Sequence, residues 1–248
     1  MNTVFTKYPV QIFLVGGTGS GKTWTVSQSL LPVMVHDNPD LVIYNVSSIF
    51  KKEDMENFKK YKHRFWDLPR EKLSFSDGDW ENITTIMKSK PKQPKLFIFD
   101  DLAAVNYKKE NFSMVCTVLA RQTNSSIIFV SQNMPYGIKG QEMINNVTHV
   151  MYAKDTIIPP APMGQIFSDL ITRSRVLKFY TIMKDVIGKI MKENKEKLPH
   201  YCICLAVEGT LQSNPNKITV FGPGVLFKIN PAIFQDVVYK GQTYEEQM

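Results

Sequence analysis

Short, unbroken apolar runs mark this chain, separated by longer stretches whose apolar residues recur at helical spacing. Residues 10–15, 41–46, 95–101, 126–132 and 148–152 read as buried strands, the third of them ending in two carboxylates. Between them lie segments with helical periodicity. Residues 23–31 form one, and Pro32 marks its end or a kink. Residues 79–88 form another, with Asp79 as the cap and Ile83, Ile86 and Met87 as the apolar stripe. A third, 111–121, places Met114, Val115, Val118 and Leu119 on one side, and 143–146 reads as a short helix. Residues 51–72 carry eight basic and five acidic side chains and read as helix then loop, a solvated face.

Each strand is a continuous apolar run rather than an alternating one. That pattern belongs to a parallel sheet covered on both faces by helices, so the fold class is α/β. Ligands on such sheets bind at the carboxyl ends of the strands. Residues 157–162, Ile-Ile-Pro-Pro-Ala-Pro, form a stiff connector that closes the alternating part. We therefore expect a core over 1–156 and a helical and short-strand extension over 157–248, packed on the same domain. In that extension, 163–194 reads as one long helix or two joined ones. Residues 201–207 and 217–221 read as strands, with a Gly-Pro-Gly turn at 222–224 leading into 225–229.

Composition changes this picture little. A chain of 248 residues, 43% hydrophobic, is large enough for a real core. No run approaches the roughly 18 uninterrupted apolar residues of a membrane-spanning helix, and the first nine residues lack a signal-peptide layout. Cys116, Cys202 and Cys204 show no zinc-finger spacing and read as buried free thiols. The net charge of +7 agrees with a polyanionic partner without requiring one.

The candidate chemistry starts where the first strand ends. Gly16, Gly17, Thr18, Gly19, Ser20, Gly21, Lys22 and Thr23 match G-x-x-x-x-G-K-[ST], the phosphate-binding loop of nucleotide hydrolases. Its glycines let backbone N–H groups turn inward around phosphate oxygens. Lys22 carries a point charge to the β- and γ-phosphates of ATP, and Thr23 offers a hydroxyl to Mg²⁺. The helix that follows aims its positive end at the same phosphates. A strand before the loop and a helix after it are the context the motif needs.

Triphosphate hydrolysis also needs the metal held, the water oriented and the developing charge neutralised. Asp100, directly after an apolar strand, fits the Mg²⁺ role together with Thr23. Asp101 reads either as the carboxylate that polarises the attacking water or as a helix N-cap. Gln132 ends the strand expected between the loop strand and the Asp100 strand. Its amide can sense the γ-phosphate and hold the water, or bond to loop backbone, or do both.

The segment 119–132, Leu-Ala-Arg-Gln-Thr-Asn-Ser-Ser-Ile-Ile-Phe-Val-Ser-Gln, adds an arginine ahead of a hydrophobic strand that ends in a small residue and glutamine. With Gly-Gly-Thr-Gly-Ser-Gly-Lys-Thr and Ile-Phe-Asp-Asp, this resembles the FtsK–HerA superfamily of P-loop DNA-pumping ATPases. It is most similar to the superfamily's viral branch, the genome-packaging ATPases of poxviruses, other large DNA viruses and virophages. The resemblance covers roughly residues 10–152. It implies a homo-oligomeric ring that threads double-stranded DNA, with ATP sites at subunit boundaries. It also implies a catalytic set of Lys22, Asp100, Asp101, Gln132 and Arg121. Arg121 occupies the family's arginine position and either reaches a neighbour's γ-phosphate or signals between sites; taken alone it reads as a helix C-terminal cation. Many superfamily members carry Asp-Glu where this chain has Asp100-Asp101, which puts the base assignment of Asp101 in doubt more than the metal role of Asp100.

The expected activity is therefore ATP-driven translocation of double-stranded DNA into a preformed viral capsid, with capsid or vertex proteins as further partners. The host cytoplasm or a viral factory, with association with the virion, is the expected location. A related DNA-transfer or export motor, a P-loop kinase and a non-catalytic ATP-binding virion protein are the alternatives. The surface that would meet DNA is not fixed by motif. Residues 173–197 hold eight basic side chains and three acidic ones, which read equally as a phosphate-tracking surface and as the solvated face of an amphipathic helix. Lys51-Lys52 and Lys108-Lys109 are further loop candidates.

Overall fold

The computed structural model describes residues 5, 7–46, 59–68, 76–100, 118–133, 146–153, 156, 176–194, 201–207, 217–222 and 225–234. Nine strands form one sheet: β1 (Gln11–Val15), β2 (Val42–Asn45), β3 (Phe65–Asp67), β4 (Lys95–Phe99), β5 (Ser125–Ser131), β6 (His149–Ala153), β7 (Cys202–Ala206), β8 (Ile218–Gly222) and β9 (Val225–Lys228). Their order is β3-β2-β4-β5-β1-β6-β7-β8-β9. The strands from β3 across to β6 pair in parallel, and β7, β8 and β9 continue the same sheet antiparallel. The expected α/β class holds. As expected, β5 lies between β1 and β4.

The continuous apolar runs are explained by burial on both sheet faces. On β1, Phe13 and Val15 point into one core while Ile12 and Leu14 point into the other. The second core is closed by a helical run after the glycine-rich loop: α1 (Lys22–Thr25), a π-helical turn (Val26–Leu30) and α2 (Leu31–Asp37). The first core is closed by α3 (Asp77–Lys88) and by a long helix (Val176–Glu193). A three-residue helix, α4 (Ala120–Gln122), leads into β5, and we label the long helix α5. On α5, Phe179, Met183 and Ile187 are buried, and Phe179 stacks on Phe234 with ring centroids 4.3 Å apart.

Five details refine or depart from the expectations. The helix after the loop does not stop at Pro32; it runs on to Asp37. Proline has no N–H and crowds the preceding turn. The π-helical turn just before it relaxes the ladder there, and burial of Leu31 and Met34 holds the continuation. The cap of α3 is Ser76, and Asp79 is its third residue. The two form a capping box: Asp79 N–H donates to Ser76 Oγ at 3.2 Å, and Ser76 N–H donates to Asp79 Oδ2 at 2.7 Å. In place of a helix and loop, residues 59–67 form a 3₁₀-helix (Lys59–Arg64) and the edge strand β3. Gly222 belongs to β8 rather than to the turn after it. On the expected 111–121 helix, Leu119 is buried but Val118 is exposed; Met114 and Val115 lie outside the described residues, as do Cys116, the segment 157–162 and residues 143–145 of the helix expected at 143–146, of which Asn146 is helical.

Cys202 and Cys204 face the same side and are fully buried free thiols, as the alternation predicted. Burial pushes the Cys204 thiol up to about 12. Beside them in the sheet, Tyr152 on β6 is fully buried, and its hydroxyl finds no hydrogen-bond partner among the described residues. An unmade buried hydrogen bond costs about 1–3 kcal/mol. Tyr152→Phe should therefore leave stability unchanged or raise it by about 1 kcal/mol, read as the midpoint of urea unfolding. Ser76→Ala should lower the same midpoint by about 1 kcal/mol equivalent, because it opens the capping box.

Candidate phosphate-binding site

The glycine-rich loop leaves the carboxyl end of β1, at the crevice where a doubly covered parallel sheet accepts ligands. Gly16 N–H donates to Ser131 O at 3.1 Å, which ties the start of the loop to the end of β5. Gly16 is also closely enclosed. A Cβ at this position would meet Ala153 Cβ at 2.8 Å and overlap Ser20 Oγ. Gly19 and Gly21 take φ of 77° and 81°, in the left-handed region that L side chains rarely adopt. From Gly21 the chain turns directly into α1, where Thr25 N–H donates to Gly21 O at 2.7 Å.

Among the described residues the amino end of this helix carries no local counter-charge. No side chain caps α1 and its first turn holds no acidic residue. The helical run behind it continues to Asp37, so its dipole and first N–H groups favour an anion at the loop. Lys22 folds over the loop, its ammonium donating to Gly16 O at 2.6 Å and to Gly17 O at 2.9 Å. Thr23, one residue on, sits half-buried in the first turn of α1. Thr18 lies at the exposed tip, and the Ser20 hydroxyl is buried with no partner among the described residues.

Two further predicted residues lie along the same carboxyl edge. Gln132 follows β5 directly, is exposed, and is one residue from the Ser131 carbonyl that holds Gly16. Ser131 organises that turn: its hydroxyl donates to Asn133 O at 2.8 Å and receives Asn133 N–H at 3.3 Å. Asp100 follows β4 directly and is half-buried. Asp101 lies outside the described residues.

Arg121 is not brought to this site. It is exposed on α4, at the amino end of β5, where Ser125 pairs with the first residue of β4. From Ser125 to Ser131 the strand advances about 20 Å, far beyond the reach of an arginine side chain. Two contributors were not among the expected site residues. Ala153 encloses Gly16 from β6, and only the pairing of β1 with β6 brings it there. Ser131 was visible only as the small residue before the glutamine.

Among the described residues no three His, Cys, Asp or Glu side chains converge on one point. A phosphate-bound magnesium ion needs no such cage, since it takes one or two protein oxygens and fills the rest with phosphate and water. Asp100 and Thr23 are hard oxygen donors of the right kind.

A mostly parallel sheet with this loop at the carboxyl end of its central strand defines a P-loop NTPase fold. The family described as Poxvirus A32 protein matches residues 2–192, and the chain belongs to that family. No curated protein matches the sequence as a whole. Among solved structures, the chain is similar to the genome packaging NTPase B204 of Sulfolobus turreted icosahedral virus 2 in complex with AMP. That match has 13% identity and a TM-score of 0.54, over 88% of this chain and 99% of the other. It is also similar to the DNA-packaging ATPase B204 of Sulfolobus turreted icosahedral virus, at 12% identity and a TM-score of 0.51, over 90% and 99% of the two chains. At such identities the likeness establishes the fold. With the family match, it bears out the resemblance to viral packaging ATPases drawn from the motifs.

The enclosure of Gly16 gives a specific expectation. Gly16→Ala should leave the far-UV circular dichroism spectrum near that of the parent, yet weaken binding of a fluorescent ATP analogue by at least about 10-fold, because the loop must shift away from β5 and Ala153. Retention of parental affinity would mean that the loop does not need this approach.

Proposed function

We propose that this chain is an ATPase that drives double-stranded DNA into a viral capsid. The observation that carries the reading is the phosphate loop, locked to the end of β5 beside Gln132, in a chain of the poxvirus A32 family. The packaging NTPases whose fold it shares support it.

In this reading ATP lies with its β- and γ-phosphates in the loop. The N–H groups from Gly17 to Thr23 receive the anionic oxygens, and the open end of α1 adds its dipole. Lys22 exchanges the carbonyls of Gly16 and Gly17 for phosphate oxygens and neutralises charge as it moves to the leaving group. Thr23 and Asp100 would hold Mg²⁺, which would supply positive charge to the phosphates. Gln132 hydrogen-bonds the attacking water, and Asp101, next to Asp100 in the chain, is the carboxylate that polarises it. Ser131 fixes the turn that aims Gln132, so strain at the loop and the position of the water are linked through one residue.

Arg121 fits this scheme only across a subunit boundary. Its place at the far end of β5 removes it from the nucleotide of its own chain, so a role in neutralising the γ-phosphate requires a neighbouring subunit. The working assembly is accordingly a homo-oligomeric ring around DNA, acting in the host cytoplasm or a viral factory with capsid or vertex proteins as its dock.

The decisive measurement is ATPase rate with and without duplex DNA. Double-stranded DNA should stimulate turnover, Lys22→Ala should lower it by about 100-fold or more, and chelation of Mg²⁺ should abolish it. Phosphate transfer to a small acceptor with no response to DNA would instead make the chain a kinase. Mixing Arg121→Ala with Lys22→Ala subunits tests the shared site. Mixed assemblies should regain activity above either parent, and a mixture no better than its parents would place Arg121 outside the chemistry.

A further inference from the structure

The exposed face of α5 is divided into two rows that differ in charge. Along one row, at four-residue spacing, stand Thr181, Asp185, Lys189 and Glu193. Opposite charges lie one turn apart in this row, so it compensates itself. The adjacent row is Lys184, Gly188 and Lys192, all exposed. It holds no acid, and neither lysine forms an ion pair among the described residues.

Gly188 is the unexpected member. It lies in the interior of an 18-residue helix, where glycine is disfavoured relative to alanine. A Cβ built there meets no described atom within 4 Å. Among the described residues no contact asks for glycine at this position. It leaves a bare stretch of helix backbone between two lysines about 12 Å apart. The buried side of the helix is accounted for by Phe179, Met183 and Ile187, and Leu177 is an exposed apolar residue at the start of the self-compensated row.

We propose that the Lys184–Gly188–Lys192 row is a seat for the phosphodiester backbone of duplex DNA. Resting on the reading of the chain as a DNA-packaging ATPase, this assigns the DNA contact to the sheet face opposite the helical run that follows the phosphate loop. The two ammonium groups reach phosphates on either side of the notch, and the absence of a side chain at Gly188 lets the backbone of DNA approach the helix axis. Such a contact reads no bases. The helix lies in the connection from β6 to β7, and β6 is hydrogen-bonded to the strand that carries the phosphate loop, so a path of chain and sheet hydrogen bonds joins the two sites.

The test is the affinity of the full chain for a fluorescent duplex of mixed sequence, measured across salt concentration, alongside melting temperature and ATPase rate without DNA. The double variant Lys184→Ala/Lys192→Ala should lower affinity at least about 10-fold at low salt and flatten the salt slope by about 2, with basal ATPase unchanged. Gly188→Ala should raise the melting temperature and still weaken DNA binding, an opposition that a merely solvated helix face would not produce. The charge-neutral control Asp185→Asn/Lys189→Gln should bind as the parent does. Three results would overturn the assignment: lysine variants with parental affinity and slope, a Gly188→Ala protein that is more stable and binds equally well, or lysine variants that change only the mass of the assembly, which would make the row a contact between copies. If the parent chain neither binds duplex nor responds to it in ATPase rate, the packaging reading falls as well; if it does both while these variants stay parental, only the placement on α5 falls.

Discussion

The approach of backbone to backbone at Gly16 is the constraint on which the site depends. At that residue the end of β1 meets the end of β5 through a single N–H···O bond, with Ala153 and Ser20 packed against the position a side chain would need. Because the bond is to Ser131, the loop is referenced to the same turn that carries Gln132. In the proposed mechanism the phosphate loop and the amide of Gln132 thus share one anchor. A common anchor of this sort supplies the kind of positioning that a reaction with little covalent chemistry for the protein to perform requires.

Everything that fixes this anchor lies in the sheet. β1 is flanked on one side by β5 and on the other by β6, both parallel to it and fully buried. Two cores hold the strands from opposite faces, so a lateral slip would take Phe13 and Val15 out of one core and Ile12 and Leu14 out of the other. The antiparallel strands β7 to β9 then extend the sheet beyond β6, which keeps β6 and its Ala153 away from an open edge.

The sequence was most legible where burial imposed a pattern on it. Strands buried on both faces must be apolar throughout, and that is why β1, β2, β4, β5 and β6 stood out, with the loop made conspicuous by the chemistry of its glycines and lysine. β3 was missed because an edge strand of three residues, with Trp66 60% exposed, has no buried face to write a pattern. At Pro32 the sequence left an end and a kink both open, because a π-helical turn is not encoded by periodicity and the anchoring residues, Leu31 and Met34, lie at and beyond the proline's turn. Ser76 and Asp79 are both good caps, and only the geometry says which is first. Ala153 illustrates the general limit: it matters because β6 pairs with β1 across more than a hundred residues of chain, and no local signal reports a register.

The arginine shows how position along one strand changes the meaning of a motif. Sequence places Arg121 and Gln132 eleven residues apart, which invites the thought of a shared local site. The fold stretches most of that interval into β5, so the two residues stand at opposite ends of a strand about 20 Å long. One end serves the nucleotide of the same chain; the other faces away from it, at the opposite edge of the sheet. If both residues act on ATP, they act on different molecules of it, and the strand is then the rigid element that sets the offset between successive sites. A monomer of this fold would hold every part of the phosphate-binding site and lack the arginine, so turnover should depend on assembly more steeply than nucleotide binding does.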